Sequence, residues 1–126
     1  MFTHAYFGTN DVERARKFYD PVMGALGYQS APYPTGIIYP SGNGALIIAP
    51  PSNGEAHTVS NGHTMGFVAK DYAAVDAFHA NGIANGGTSE GEPGIRENSP
   101  GQQYGAYLRD PDGNKICAYA PNAENA

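Results

Sequence analysis

Cysteine, tryptophan and basic residues are scarce in this sequence. Cys117 is the single cysteine, so no disulfide can form within the chain, and tryptophan does not occur. The 7 lysine and arginine residues are scattered and are outweighed by 12 acidic residues, which gives a net charge of −5. A nucleic-acid-binding protein needs a basic surface to contact phosphates, so we expect no nucleic-acid partner.

Long apolar runs are also missing. A membrane-spanning helix needs about 18 or more consecutive apolar residues, and no segment comes near that length. Residues 1–8 lack the basic and apolar stretches of a secretory signal peptide. Together with the single cysteine, these features favour a cytoplasmic protein that does not contact membranes.

Glycine and proline are abundant, at 17 and 10 of the 126 residues, which favours short strands joined by turns. With 40% apolar residues the chain suits one folded domain, 1–126. We predict a first strand over 3–8. A helix follows that Asn10 caps, that Pro21 kinks or restarts, and that Gly27 ends. Three extended segments then occur near 28–33, 36–40 and 45–49.

The second half repeats this order after a polar connector. We predict a strand over 63–69 and then a helix that Asp71 caps. Gly82 is expected to stop this helix. The repeat, at an offset close to sixty residues, indicates two modules of similar topology, about 1–52 and 61–121.

A long segment follows the second helix. Residues 86–103 are rich in glycine, glutamate and proline, which predicts a loop, and we expect its part from 88 to 103 to be a mobile lid. Two strands then follow, over 104–109 and 115–119. A tight turn at 110–113, with the sequence Asp-Pro-Asp-Gly, connects them.

Histidine and cysteine supply the candidate metal ligands. Each half carries a histidine on its first predicted strand, His4 and His63. A lone histidine on a half-buried strand is most often structural, whereas a matched pair also suits metal ligation, and both interpretations stay open. We interpret His57 and His79 as surface residues. Cys117 is either a small buried hydrophobic residue or a thiolate ligand.

Three groups of residues occur in an order that is specific as a set. They are His4 through Asn10-Asp11-Val12-Glu13 to Leu26-Gly27-Tyr28, then Gly62-His63, and finally Tyr104 to Tyr107 through Asp110-Pro111-Asp112-Gly113 to Ile116. In this order the chain resembles the glyoxalase/bleomycin-resistance/dioxygenase family, also called the vicinal oxygen chelate superfamily. The resemblance implies an α+β fold in which two βαβββ modules form a ligand cleft, and it implies a homodimer.

The resemblance also implies a divalent metal. The family's histidine ligand positions fall on His4 and His63, and its two glutamate positions fall on Ile48 and Cys117. Isoleucine cannot bind a cation, and a thiolate suits zinc better than magnesium. The implied ligands are therefore His4, His63 and Cys117, holding zinc, iron or manganese. A typical glyoxalase I is not expected because both glutamates are replaced, and no residue is assigned as catalytic.

Further residues are predicted to line the cleft because they share strand faces with these positions. Tyr6 shares a face with His4, and Tyr119 shares one with Cys117. Arg96, in the long loop, is a candidate clamp for an anion or a solvated loop residue. The predicted ligand-binding set is Tyr6, Ile48, Met65, Arg96, Tyr104, Tyr107 and Tyr119.

Two functions fit these observations. One is a metal-assisted lyase, isomerase or dioxygenase acting on a small oxygen-rich substrate. The other is a metal-free protein that binds an aromatic or amphipathic small molecule, as the antibiotic-sequestering branch of the family does. The paired histidines favour the enzyme and the missing carboxylates favour the binding protein. The fold alone cannot decide between them.

Overall fold

The structure, a computed structural model, describes residues 1–124, in which two helices accompany two four-stranded sheets. The elements are β1 (Ala5–Gly8), α1 (Val12–Ala25), β2 (Ala31–Tyr33), β3 (Gly36–Ser41), β4 (Gly44–Ala49), β5 (Met65–Val68), α2 (Tyr72–Ala84), β6 (Thr88–Ile95), β7 (Tyr104–Arg109) and β8 (Lys115–Ala120). The strand order is β1-β4-β3-β2 in the first sheet and β5-β8-β7-β6 in the second. Each half is a βαβββ module, which confirms the predicted α+β class. Neither helix of the described chain is long and apolar enough to cross a membrane.

The strand register relates the two modules position by position. β1 pairs in parallel with β4, and Ala5 lies opposite Leu46. β5 pairs in parallel with β8, and Met65 lies opposite Ile116. Positions on β5 therefore correspond to positions 60 lower on β1, and positions on β8 correspond to positions 70 lower on β4.

The core lies where the two helices pack on each other and on the sheets. Alternate strand residues point into it, for example Phe7 and Ile48 in the first sheet and Leu108 and Ala118 in the second. Fully burying one large apolar side chain contributes roughly 1.5–3 kcal/mol. The remaining strand residues turn away from the helices. We call that side of each sheet its open face.

The first helix begins one residue later than predicted. Its cap is Asp11, whose carboxylate accepts a hydrogen bond from the amide of Arg14 at 3.0 Å. The Asn10 side chain accepts from the amide of His57 at 2.7 Å and donates to the carbonyl of His57 at 3.3 Å. The predicted cap was wrong. Asparagine and aspartate both favour the cap position, and here Asp11 occupies it while Asn10 forms hydrogen bonds to the connector between the modules.

The first helix also continues through Pro21 without the restart that we predicted. The Asn81 side chain of α2 donates to the Pro21 carbonyl at 2.9 Å, so packing against the second helix supports the continuous form. The predicted end is confirmed. Gly27 has a φ of +94°, and the following amide, of Tyr28, donates to the Met23 carbonyl.

The second helix is capped by Asp71 as predicted, but it does not stop at Gly82. It runs to Ala84. A Cβ atom added at Gly82 would lie 2.4 Å from Cδ1 of Leu108 on β7. The glycine therefore permits close packing of α2 on the second sheet, which explains why a residue expected to end the helix lies inside it.

The segment predicted as a loop over 86–103 is in part a strand. Residues 88–95 form β6, which pairs with β7 through two register shifts. Glycine and proline at those irregular positions concealed the strand in the sequence. The loop is therefore limited to 96–103, where the backbone closes through a hydrogen bond from the Arg96 amide to the Gln103 carbonyl at 2.8 Å.

The predicted turn between β7 and β8 is confirmed, and it also joins the modules. The amide of Gly113 donates to the carbonyl of Asp110 at 2.9 Å. The buried Asp110 carboxylate accepts from the Tyr19 hydroxyl of α1 at 2.6 Å. The Asp112 carboxylate accepts from Thr9 and from Arg14 at the start of the first helix. The last turn of module two therefore holds the beginning of module one.

Candidate functional site

A cavity of about 1050 Å³ lies on the open face of the second sheet. β5 and β8 contribute its floor, and the loop after β6 contributes a wall. Its size suits a small organic molecule. We call it the open-face cavity; its lining is Thr64, Gly66, Phe67, Val68, Ile95, Arg96, Glu97, Asn98, Ser99, Pro100, Gln103, Tyr107, Cys117, Tyr119 and Pro121.

Two tyrosines form the polar part of the floor. The hydroxyls of Tyr107 and Tyr119 share a hydrogen bond of 2.6 Å, and their rings meet edge to face with centroids 5.9 Å apart. Burial, followed by the hydrogen bond with Tyr119, raises the pKa of Tyr107 well above its usual value. Tyr107 is therefore a neutral phenol at physiological pH. The two side chains offer a ligand aromatic surface and hydroxyl groups.

Two cations lie beside this aromatic floor. The Arg96 guanidinium carbon is 5.6 Å from the centroid of the Tyr107 ring, and the Lys115 ammonium nitrogen is 5.3 Å from it. Arg96 donates to the backbone carbonyls of Glu92 and Gly94, which fixes its position. Within residues 1–124 neither cation lies within ion-pair distance of a carboxylate. The cavity therefore combines an aromatic surface with positive charge that is not neutralised by direct pairing.

Cys117 lies in the same floor, opposite Gly66 on β5, and is 6% exposed. Burial raises the pKa of its thiol, while a hydrogen bond with Tyr107 and the charges of Lys115 and Arg96 counteract part of that rise. The net direction is upward, so the side chain is a neutral thiol at physiological pH. A neutral thiol is a poor metal ligand and a poor nucleophile.

The two histidines of the predicted metal site do not occupy equivalent positions. By the register offset of 60, His63 corresponds to Thr3 and His4 corresponds to Thr64. Both histidines precede their strands. His4 is exposed and hydrogen bonded to the Thr3 hydroxyl at 2.9 Å, whereas the ring of His63 packs edge to face on Phe7 at 5.8 Å. The two rings therefore have different neighbours, the Thr3 hydroxyl for His4 and the Phe7 ring for His63.

The predicted metal ligands therefore do not fit a metal centre in this structure. In the described part of the chain, no three histidine, cysteine, aspartate or glutamate side chains are grouped so that they could hold a metal ion. His4 lines an apolar crevice of about 200 Å³ between the modules, and Cys117 lines the open-face cavity. Metal dependence stays a prediction from the family resemblance.

The residues predicted to bind a ligand divide among several places. Arg96, Tyr107 and Tyr119 all line the open-face cavity. Ile48 is fully buried in the core, whereas its neighbour Ile47 on β4 lies outside the core cluster and turns to the open face. The predicted placement of Ile48 in the cleft is thus corrected by one residue.

Three other predicted residues lie outside this cavity. Met65 and Tyr104 pack against the core on the helix-facing side of the second sheet. The Tyr104 hydroxyl donates to Asp76 at 2.6 Å, and this hydrogen bond raises the pKa of Tyr104 to about 12. Tyr6 lines a separate surface cavity beside the connector and donates to the Pro50 carbonyl at 2.6 Å.

The two histidines interpreted as surface residues are more enclosed than expected. His79 is buried and its Nε2 is 2.9 Å from the hydroxyl of Ser89 on β6. His57 packs on Gly8, where a Cβ atom would lie 2.4 Å from its Nδ1. Sequence reasoning also missed Lys115. It lies two residues before Cys117 and four before Tyr119 on the same strand, and this spacing predicts that all three share one face.

Comparison with known proteins assigns the family. A sequence model of the Glyoxalase/Bleomycin resistance protein/Dioxygenase superfamily matches residues 2–118. The chain belongs to this superfamily. The predicted family is thereby confirmed, and the match covers both βαβββ modules described above. No curated protein sequence gave a match.

Solved structures of the superfamily share the fold. A glyoxalase/bleomycin resistance protein from Albidiferax ferrireducens is 48% identical, with a TM-score of 0.91, over 95% of this chain and 98% of that one. A lactoylglutathione lyase from Agrobacterium tumefaciens is 21% identical, with a TM-score of 0.65, over 95% and 92%. A family enzyme from Burkholderia phytofirmans is 19% identical, with a TM-score of 0.72, over 95% and 98%. The latter two comparisons bear on the fold alone.

Proposed function

We propose that this superfamily member binds a small organic anion with an aromatic or apolar body in the open-face cavity, without a metal. The observation that carries the proposal is the pair of cations, Arg96 and Lys115, which lie 5.6 and 5.3 Å from the centroid of the Tyr107 ring. Neither is paired with a carboxylate within residues 1–124, so an anionic ligand would supply the missing partner.

The remaining chemistry of the cavity supports the same ligand class. Tyr107 and Tyr119 provide ring faces for an aromatic body, and Val68 and Ile95 add exposed apolar surface at the rim. Arg96 is held by backbone carbonyls at 2.6 and 3.2 Å, so little side-chain entropy is lost when it meets a carboxylate. Aromatic stacking and charge pairing then act on one ligand together.

The metal-assisted lyase, isomerase or dioxygenase remains the second prediction for this chain. It rests on the family, one of whose structures is a lactoylglutathione lyase. The grouping of residues favours binding instead, because His4, His63 and Cys117 are not brought together, and the thiol of Cys117 has a raised pKa.

We further propose a homodimer. β1 and β5 are edge strands, each with a single strand neighbour in its sheet. Val68 at the edge of the second sheet is 76% exposed. Pairing of two chains would cover such edges and apolar side chains. Sedimentation at micromolar concentration is expected to give twice the mass of one chain, and a stable monomer would contradict this.

Calorimetric titration with naphthoate and with its uncharged analogue naphthamide tests the binding proposal. We expect naphthoate to bind at least tenfold more tightly, a difference of about 1.4 kcal/mol. Arg96→Ala should remove most of that preference and leave naphthamide binding nearly unchanged. Arg16→Ala is the matched control, because Arg16 pairs with Glu13 on the exposed side of α1. Equal affinities for the two probes, or an Arg96→Ala variant with the wild-type preference, would overturn the proposal.

A further inference from the structure

The wall of the open-face cavity is a short loop with an unfavourable backbone conformation. Gln102 has a φ of +49° and is the one non-glycine residue with positive φ in the described chain. Side chains other than glycine and asparagine rarely adopt this region, and the conformation persists only where neighbouring contacts hold it. Residues 97–100 and Gln103 of the same loop line the cavity. The conformation therefore occurs beside the proposed ligand.

Contacts within the loop keep it folded on itself. The Ser99 hydroxyl donates to the Arg96 carbonyl and accepts from the Gln103 amide, both at 2.8 Å. The Gln102 amide donates to the Ser99 carbonyl at 2.9 Å. These bonds define the internal shape of the loop, but they do not attach its tip to the rest of the domain.

One attachment of the loop comes from the C-terminal tail. The Asn122 side-chain amide donates to the Gln102 carbonyl at 2.8 Å, and Asn122 is 8% exposed. The tail itself is held to α2, because the amide of Ala123 donates to the Tyr72 hydroxyl at 3.1 Å. The Tyr72 ring stacks on Tyr104 of β7 with centroids 4.0 Å apart. A continuous set of contacts thus runs from the second helix through the tail to the strained residue.

We propose that Asn122 is a positioning residue that latches the 97–103 loop against the second sheet and so fixes one wall of the open-face cavity. The inference rests on the proposed function for its ligand, but the latch itself is independent of any ligand. Asn122 lies beyond residue 118, where the family match ends. Loss of the latch lets the loop relax the conformation at Gln102 and leave the cavity.

Asn122→Asp tests the latch with little change in volume. The aspartate keeps the oxygen that accepts from the Glu124 amide at 2.9 Å, but it cannot donate to the Gln102 carbonyl. Asn85→Asp is the matched control. Asn85 also donates to a backbone carbonyl, that of Asn81, at 2.8 Å, and it does not line the cavity. Hydrogen exchange reports the loop, and stopped-flow release of naphthoate reports the wall.

We expect amide exchange over 97–103 to rise at least tenfold in Asn122→Asp and to stay unchanged in β7 and in Asn85→Asp. Naphthoate release should accelerate several-fold while its association rate changes little. Adding Gln102→Gly should restore part of the protection, because glycine removes the unfavourable φ from the latched state. If Asn122 only stabilised the domain as a whole, Asn122→Asp would raise amide exchange throughout the sheet, and adding Gln102→Gly would not restore protection of the loop.

The exchange and release measurements test the latch separately. Unchanged amide exchange over 97–103 in Asn122→Asp overturns the latch, whether or not the rate of naphthoate release changes. Raised exchange with unchanged naphthoate release shows that the loop is not the retaining wall, and this also overturns the proposal. If the wild type does not bind naphthoate, the proposed function fails, whereas the exchange measurement still confirms or refutes the latch. If Asn122→Asp does not fold, Asn122→Ala, which also lacks a side-chain donor, takes its place in the same assays.

Discussion

The open faces of the two modules are built on one topology but carry different chemistry. By the register, Ile47 of the first sheet corresponds to Cys117 of the second, and Tyr6 corresponds to Gly66. The first sheet therefore has two large side chains, Tyr6 and Ile47, where the second has the small residues Gly66 and Cys117. The second sheet carries the open-face cavity, which Arg96 lines, and Lys115 lies beside the Tyr107 ring of that cavity.

The comparison shows how one topology can carry two open faces of different chemistry. The positions that face the core are apolar in both halves, for example Leu46 and its equivalent Ile116. Core packing constrains those positions, whereas residues on the open faces are free to diverge. Space is created by Gly66, where a Cβ atom would lie 3.2 Å from the sulfur of Cys117. Function is thus specified by open-face residues and not by the fold.

The largest contrast between the modules is expected at their last turns. Asp110→Ala should lower the free energy of unfolding by about 4 kcal/mol, because it leaves buried donors without an acceptor. Those donors are the Tyr19 hydroxyl, the Asn114 side chain and backbone amide, and the Asp112 amide. Urea denaturation monitored by circular dichroism measures the loss.

The matched change in the first module is Asn43→Ala, in the hairpin between β3 and β4. Asn43 is exposed, so its replacement should cost no more than about 0.5 kcal/mol. Similar losses in the two variants would show that the second turn does not join the modules as its contacts indicate.

A charge placed on each open face probes the difference between them directly. Ile47→Glu should cost about 3 kcal/mol, because it buries a carboxylate on an apolar surface. Cys117→Glu should cost about 1 kcal/mol, since Arg96 and Lys115 can pair with the new charge. Manganese(II) should not raise the melting temperature of Cys117→Glu, because the two histidines are not equivalent in the register. A larger loss at 117 than at 47, or a rise with manganese, would contradict the assignment of the cations or the separation of the ligands.

Much of the fold could be predicted from the sequence because turns and helix ends depend on local chemistry. Gly27, Asp71 and the Asp110–Gly113 turn act through their own backbones and immediate neighbours, and all three predictions are confirmed. Gly82 failed as a helix stop because its role depends on Leu108, a residue far along the chain. Local signals cannot report such a contact.

The candidate site was harder to predict because it depends on which way each strand faces. β4 contains the buried run Leu46 to Ala49, in which apolar residues do not alternate with polar ones. Nothing in that run distinguishes Ile47 from Ile48, and an error of one residue exchanges the two faces. The same error of one residue made His4 and His63 look equivalent. Arg96 was proposed from its side-chain chemistry alone and lines the cavity, whereas strand faces left Tyr104 and Tyr107 as alternatives, of which Tyr107 lines it.

The helix caps offer a comparison in which the modules should behave alike. Asp11 accepts from the Arg14 amide at 3.0 Å, and Asp71 accepts from the Ala74 amide at 2.9 Å. Alanine at either position should therefore cost about 1 kcal/mol. Asn10→Ala serves as a control that removes the contact with the connector and leaves the cap. A loss at Asp11 much greater than at Asp71 would show that the first helix start is shared with the Asp112 contacts and not capped independently.

The smallest expected effect tests whether both cations of the second open face act on Cys117. The positive charges of Lys115 and Arg96 lower the pKa of the thiol against the larger effect of burial, and Lys115 has the greater influence. Removing either charge destabilises the thiolate, so the pKa should rise further and less thiolate should be present at a given pH. Because the thiolate is the reactive form, alkylation by iodoacetamide at pH 8 should slow by roughly two- to threefold in Lys115→Ala and by less in Arg96→Ala. Lys17→Ala, on the exposed side of α1, should react at the wild-type rate. The wild-type thiol is still mostly protonated at pH 8. Faster alkylation in Lys115→Ala would therefore mean that the lysine blocks access to the sulfur and does not stabilise the thiolate. The second open face would then not differ from the first by a positive charge that acts on its floor.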